Sequence, residues 1–221
     1  TNFSSDIYFS KTKNVYTIEN STYTDNGYSY EEYDFDRRRS IIESDSAYSD
    51  DVWRQFSELG WLSIPFDESY GGFGGHADDL AGVMLELGKG LIIEPYMSTV
   101  VVFGSLLNAS NNDSLKEQLI PRIINGQYKG SFAYAEEQSR FEISDVKTSA
   151  QKCGDGYKLN GTKIAVIDAK ESDGLIVTAR TGGSQYGAEG ISLFLVDTSA
   201  EGVAVSSYNT MDSHSSSTIN L

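Results

Sequence analysis

The sequence predicts an α+β protein, in which an N-terminal all-helical domain precedes an antiparallel β-barrel domain. Apolar residues recur at helical spacing from Ser49 to Gly126. After about Gly130 the apolar residues alternate with polar ones, which is the spacing of half-buried strands. We therefore expect an irregular segment at residues 1–30, a helical domain at 31–128 and a β-barrel domain at 129–221.

The helical segments carry recognisable start and stop signals. Ser49 is a capping residue followed by two acidic residues in the first predicted turn, and Gly60 is a natural C-terminal stop. Pro95 stands at a first helical position. Short connections between the four helices from Ser49 onward predict a bundle. The helical segments are EEYDFDRRRSII, SDDVWRQFSELGW, HADDLAGVMLELGKG, PYMSTVVVFGSLLNAS and NDSLKEQLIPRIING.

The later segments are strand-length and are separated by Gly, Asp or Asn. They read SFAYAE, DVKTSAQ, GYKLNG, TKIAVID, GLIVTAR, ISLFLVD and GVAVSSY. Short strands at close spacing favour an antiparallel barrel. Asn160-Gly161 between two of them predicts a hairpin with a type I′ turn, since such a turn needs positive φ at both central residues.

Composition and charge exclude several classes of partner. The chain has 221 residues, with 17 Lys and Arg against 32 Asp and Glu, for a net charge of −15. Such an acidic chain repels nucleic acid and anionic lipid, and no apolar run is long enough to span a membrane. Cys153 is the single cysteine, which fits a reducing compartment. No signal peptide pattern is visible, so we expect a cytoplasmic protein.

The residues by themselves indicate no specific chemistry. His76 and His214 are the two histidines and have no metal-ligand spacing, so we expect no metal site. The YGGFGG segment lacks the strand and the lysine of a phosphate loop, and is expected to be a flexible interhelical loop. Glu136 and Glu137 beside Arg140 have the composition of a solvated loop at a strand end.

The order of the motifs resembles that of the acyl-CoA dehydrogenase family. The motifs are ELGWLSIPFDESYGGFGG, then FAYAEEQSRFEISDVKTSAQKCGDGYKLNGTKIAVI, then GLIVTARTGG, GISLFLVD and GVAV. The resemblance covers residues 34–221. It is greatest to the branch of pimeloyl-CoA dehydrogenase small subunits, in which an A-E-x-Q-S-R loop replaces the common T-E-P-x-x-G-S-D loop.

This resemblance implies a fold, a cofactor and a reaction. The family has a helical domain, a β-barrel middle domain and a C-terminal four-helix domain, and we expect only the first two of these in this chain. FAD binds between the middle domain and the C-terminal helices. The implied reaction is oxidation of an acyl-CoA thioester to the 2,3-enoyl-CoA, with an electron-transferring flavoprotein as acceptor. A truncated subunit of this kind is expected to be inactive alone and to join a homo- or hetero-oligomer.

The resemblance also implies site residues. The family's catalytic base lies in the C-terminal domain, so no residue of this chain corresponds to it. The implied flavin contacts come from two segments, and the substrate contacts from the following loop. The flavin residues are Phe132, Tyr134, Ala135, Glu136, Ala165, Val166 and Ile167, and the substrate residues are Arg140 and Phe141.

Three of these residues depart from the family pattern. Ala135 and Ile167 stand where hydroxyl side chains normally reach the flavin, and Ala165 stands where a tryptophan is usual. Two side-chain hydrogen bonds, each contributing about 1 kcal/mol, are therefore missing, while backbone donors remain. These departures leave two alternatives open. One is a flavin monooxygenase or acyl-CoA oxidase of the same fold, and the other is a non-catalytic assembly module.

Overall fold

The structure, a computed structural model, describes residue 33, residues 35–44 and residues 46–221. The irregular segment expected at residues 1–30 lies outside the described residues. The chain divides into two compact units. The first contains the described residues up to Glu94 together with Asn112–Gly126, and the second contains Pro95–Asn111 and Gln127–Leu221. The sequence boundary at 128/129 lies in the connection between the last helix and the first strand.

The first unit is helical. Its α-helices are α1 (Phe35–Ile42), α2 (Asp50–Glu58), α3 (Ala77–Lys89) and α5 (Asp113–Ile124). The Ser49 hydroxyl caps α2 by accepting from the Val52 N–H, and Asp50 and Asp51 face the positive end of the helix dipole. Buried aromatic rings hold α2 in place: Phe56 stacks on Trp61 with ring centroids 4.7 Å apart.

The glycine-rich segment after α2 makes backbone hydrogen bonds with the residues that precede it. Gly74 N–H donates to Phe66 O at 2.8 Å, and Gly75 N–H donates to Ile64 O at 2.7 Å. A Cβ on Gly72 would stand 1.9 Å from Phe66 O, so only glycine permits this approach. The expectation of a flexible loop is therefore wrong, because backbone hydrogen bonds fix the segment.

The second unit contains a helical stretch and the eight strands found among the described residues. Met97–Phe103 is a π-helix, with Gly104 N–H donating to Thr99 O, and α4 (Gly104–Ala109) follows it. The strands are β1 (Gly130–Ala133), β2 (Ser149–Cys153), β3 (Gly156–Asn160), β4 (Thr162–Ile167), β5 (Gly174–Arg180), β6 (Ile191–Asp197), β7 (Ala204–Asn209) and β8 (Ser215–Asn220).

These strands form two sheets. One contains β1, β5, β2 and β3 in that order with β6 on β5, and the other has the order β4-β8-β7. Ile164 N–H donates to Ala135 O at 2.9 Å and joins β4 to the chain just after β1. The inner faces enclose an apolar cluster that includes Ala133, Val166 and Val177. The predicted class, helices followed by a β unit, is confirmed, although β1 and β2 pair with β5 in parallel.

The hairpin predicted at Asn160-Gly161 is wrong. β3 pairs with β2 in one sheet, and β4 pairs with β8 in the other. Gly161 exchanges backbone hydrogen bonds with Leu221 at 3.4 and 3.0 Å, which directs β4 to β8. The observed hairpin is β2–β3, where Gly154 has a φ of +58° at the first turn position, as a type II′ turn requires.

Among the described residues, no helix is long and apolar enough to cross a membrane.

Candidate functional site

The outer surface of β1 and β4 brings together four of the residues implied by the resemblance. Ala133 and Val166 point into one buried cluster. Because side chains alternate along a strand, their neighbours point to the opposite side. That side carries Phe132, Tyr134, Ala165 and Ile167, which we call the β1–β4 face. The Phe132 and Tyr134 rings stack on it with centroids 5.2 Å apart.

A β-bulge gives the β1–β4 face its shape. Lys163 pairs with Ile219 and Val166 with Ser217, so two residues of β4 oppose one residue of β8. Ala165 has a φ of +53° at this bulge, in the left-handed region that a non-glycine residue rarely adopts. A bulge leaves its extra residue outside the ladder and re-aims the side chains beyond it. Lys163 and Val166 therefore both point inward, whereas Ala165 and Ile167 are exposed.

Lys163 and Glu136 form an ion pair beneath this face. Lys163 Nζ lies 2.7 Å from Glu136 Oε1, and the two side chains are 0% and 3% exposed. Lys163 Nζ also donates to Tyr134 O at 3.2 Å and to Thr178 Oγ1 at 2.8 Å. The prediction of a solvated loop at Glu136 is therefore wrong for that residue, because a cation 27 positions later in the chain folds onto it.

The surroundings of Glu136 keep its carboxyl ionised. Burial raises the pKa of Glu136, but hydrogen bonds from Lys163, Thr148 and Gln138 outweigh that effect and lower the pKa to about 2. Backbone N–H groups of Lys147 and Thr148 donate to the carboxylate at 2.8 and 3.0 Å. Burial lowers the pKa of Lys163, and the neighbouring carboxylate opposes that change.

The other residues implied by the family resemblance do not lie on the β1–β4 face. Val166 and Glu136 point inward, and the Glu136 N–H donates to Ser139 Oγ at 3.1 Å. Ala135 is half-buried between the outward Tyr134 and the inward Glu136. Arg140 has a φ of +50°, and Phe141 is fully exposed on the same loop.

Arg180 connects this loop to the β5–β6 connection. Its guanidinium donates to Val146 O at 3.1 Å and Ser144 O at 2.8 Å from the loop that carries Arg140 and Phe141. It also donates to the carbonyl groups of Gly182, Gln185, Gly187 and Glu189. The rigid fork of five N–H groups suits Arg to this task.

The sequence analysis did not identify several buried ionisable groups. They include Lys163, Asp168 and Glu94. Asp168 accepts a 2.6 Å hydrogen bond from Ser98 Oγ, with His214 Nδ1 3.4 Å away on its other oxygen. Burial raises the pKa of Glu94, whose Oε1 accepts from the Ser49 N–H. The position of Lys163 between two residues of a predicted strand was a signal that it is buried. Asp168 and Glu94 have no such signal in the sequence.

The β1–β4 face suits a planar aromatic group. Its outward surface is apolar and partly exposed, with Tyr134 47% and Ile167 39% accessible. The small Ala165 side chain at the bulge is exposed on the same face. Within the part of the chain that the structure describes, no group of three His, Cys, Asp or Glu side chains could hold a metal ion.

Comparison with known proteins agrees with this architecture. Residues 34–127 match the N-terminal domain of acyl-CoA dehydrogenases, and residues 131–221 match the middle domain. The chain is 31% identical to the probable acyl-CoA dehydrogenase YngJ of Bacillus subtilis, covering 77% of this chain and 46% of that protein. It is also 31% identical to the mitochondrial isovaleryl-CoA dehydrogenase of Pongo abelii, covering 71% and 38% respectively.

A solved structure has a similar fold over most of this chain. The ChsE4–ChsE5 complex of Mycobacterium tuberculosis superimposes with a TM-score of 0.74 at 25% identity. The match covers 84% of this chain and 48% of that one, so the chain spans less than half of each of these relatives. The two domain matches occupy nearly all of the described residues. The chain belongs to the acyl-CoA dehydrogenase family, a family of flavoprotein oxidoreductases.

Proposed function

We propose that this chain is part of an FAD-dependent acyl-CoA dehydrogenase that oxidises an acyl-CoA thioester to the 2,3-enoyl-CoA. The β1–β4 face supports the proposal, because its exposed apolar surface and backbone bulge are formed by residues that the resemblance assigns to the cofactor. The chain supplies the helical and middle domains of such an enzyme. The A-E-x-Q-S-R loop at Ala135–Arg140 favours the pimeloyl-CoA branch.

The described residues would hold and orient the cofactor. Phe132 and Tyr134 offer a stacked apolar surface, and Ala165 and Ile167 offer a second one across the bulge. Rigid strands of this kind hold backbone donors against a planar ring. The chemistry that FAD supplies when bound is acceptance of a hydride from the β-carbon of the thioester. Glu136 and Val166 support the face from inside.

The substrate and partners follow from the same assignment. We propose that Arg140 and Phe141 meet the thioester end of the acyl-CoA, since both are exposed on the loop that follows Glu136. We infer a homo- or hetero-oligomer with related subunits, and the similar ChsE4–ChsE5 structure is itself a complex. An electron-transferring flavoprotein is the proposed acceptor. The single cysteine suits a reducing compartment, and we place the protein in the cytoplasm.

Two-dimensional NMR with added FAD tests the site. Amide signals of Phe132–Ala135 and Ala165–Ile167 should shift, with weak binding above about 1 µM, because ordering costs of association leave a partial site with little net affinity. Ala165→Glu places a charge on the face and should abolish the shifts. Ala204→Glu, at an exposed alanine of β7, is the matched control and should retain them.

Two results would contradict this proposal. Shifts confined to other parts of the chain would show that the β1–β4 face is not the cofactor site. Binding tighter than about 1 µM by the chain alone would show that the site is not partial, since each tenfold gain corresponds to about 1.4 kcal/mol of additional contact.

Ala135 and Ile167 favour a second candidate function. Both lack the hydroxyl that the family presents to the flavin, and a non-catalytic assembly module would not need it. Such a module would show no flavin absorption when purified with its partner subunits. A flavin spectrum that is reoxidised rapidly by oxygen, without an electron-transferring flavoprotein, would instead identify an oxidase or monooxygenase.

A further inference from the structure

Lys163 is completely buried although it carries a positive charge. Its side chain is 0% exposed, and Glu136 is its carboxylate partner. Removing two charges from water is costly, and a well-packed apolar pair often gives the same or greater stability. A contribution to overall stability is therefore a weak explanation for this pair.

The hydrogen bonds of Lys163 indicate a more specific task. An ammonium group has three donors, and Nζ directs them at Glu136 Oε1, Tyr134 O and Thr178 Oγ1. These acceptors come from the chain after β1 and from β5, whereas Lys163 itself belongs to β4. One side chain therefore joins three segments.

A second hydrogen bond, next to those of Lys163, joins β4 to the chain after β1. Ile164, the following residue, donates its N–H to Ala135 O at 2.9 Å. Two consecutive carbonyl groups, those of Tyr134 and Ala135, are thus held by two consecutive residues of β4. The bulge at Ala165 begins immediately after these contacts.

We propose that Lys163, with Glu136, is a positioning residue that fixes the backbone of Tyr134–Ala135 against the Ala165 bulge. The two halves of the β1–β4 face then meet one planar ligand at a constant spacing. This inference rests on the proposed FAD site. A buried side chain whose three donors are all hydrogen-bonded is suited to such a role, because binding sites need rigid supporting residues.

The test separates positioning from stability with a paired variant. Lys163→Met with Glu136→Gln removes both charges, while the amide oxygen of the introduced glutamine can still accept from one of the two N–H groups, of Lys147 and Thr148, that contact the carboxylate. We expect its urea midpoint to stay close to that of the wild type. Amide exchange at Ile164 should nevertheless accelerate at least tenfold, and the FAD dissociation constant from NMR should rise at least tenfold.

Two further variants complete the experiment. Lys163→Arg keeps a charge opposite Glu136 but spreads its donors over a planar fork, so exchange at Ile164 should also rise. This variant provides the measurement if the paired variant does not fold. Lys158→Met, at an exposed lysine of β3, should change neither exchange nor FAD affinity.

The outcomes distinguish the two proposals. Unchanged exchange at Ile164 in folded Lys163→Met/Glu136→Gln or Lys163→Arg would overturn the positioning role, whatever FAD does. Faster exchange with an unchanged FAD dissociation constant would overturn it as well. Absence of FAD-induced shifts in the wild type would overturn the proposed function, and with it the use of this contact for a flavin.

Discussion

Gly161 lies against Thr148 so closely that a Cβ atom on Gly161 would stand 2.4 Å from the Thr148 hydroxyl oxygen and 2.7 Å from its Cα. The contact joins the start of β4 to the chain just before β2. Glycine is required here by packing rather than by a turn, since β3 and β4 belong to different sheets.

Gly161→Ala should therefore destabilise the protein strongly. The added methyl group meets backbone as well as side chain, and such overpacking costs about 1–3 kcal/mol. Asn160→Ala should change the unfolding free energy by less than about 0.5 kcal/mol, because the exposed Asn160 is not a type I′ turn residue. Urea unfolding followed by circular dichroism measures both. Similar losses for the two variants would restore the hairpin prediction.

Glu136 makes the stability of the protein sensitive to acid. Its pKa falls from 4.5 to about 2 on folding, so the folded state binds its proton less readily than the unfolded state. The contribution is fully present above about pH 4.5 and is lost as the pH falls towards 2. A pKa difference of this size corresponds to about 3 kcal/mol in the free energy of unfolding.

Urea unfolding at pH 3 and pH 7 checks this dependence. Glu136→Gln should lose less stability than the wild type between the two pH values, because it cannot titrate. Glu137→Gln, its exposed neighbour, is the control and should behave like the wild type. An equal acid sensitivity of the wild type and Glu136→Gln would contradict the assignment.

Arg180→Lys should loosen the loop that carries Arg140 and Phe141. A lysine ammonium has three donors and cannot reach the six carbonyl groups that the guanidinium contacts. We expect a loss of about 2 kcal/mol and faster amide exchange between Ser144 and Val146. Arg54→Lys, at an exposed position of α2, should change stability by less than about 0.5 kcal/mol, since surface pairs contribute little. No change in exchange on Arg180→Lys would refute this role.

Asp168 combines a left-handed backbone with a buried carboxylate. Its φ is +56°, and it accepts a 2.6 Å hydrogen bond from Ser98 Oγ. Asp168→Ala loses the acceptor and leaves alanine in an unfavourable conformation, for an expected loss of about 2–3 kcal/mol. Asp168→Asn keeps an acceptor and a residue that tolerates this region, so its loss should be about 1 kcal/mol. Thermal melts compare them, and a larger loss for Asp168→Asn would exclude this explanation.

The sequence by itself determined the fold class and the approximate positions of the helices and of the strands other than β8, which no predicted segment covers. The change from helical to alternating spacing near Gly130 is a local property, and β1 begins at that residue. The cap at Ser49 is equally local, because its hydroxyl bonds a backbone N–H three residues later. The motif order was also sufficient to identify the family, since those motifs lie within the matched domains.

Tertiary structure decided which strands pair and which polar side chains are buried. Asn160-Gly161 is a strong local hairpin signal, but β4 pairs with β8 instead. That pairing depends on residues 58 positions away, which a local pattern does not include. Glu136 has the composition of a surface residue, and only the approach of Lys163 buries it. The bulge at Ala165 likewise depends on the register of β4 with β8. Contacts of this kind join residues far apart in the chain, so no local pattern predicts them.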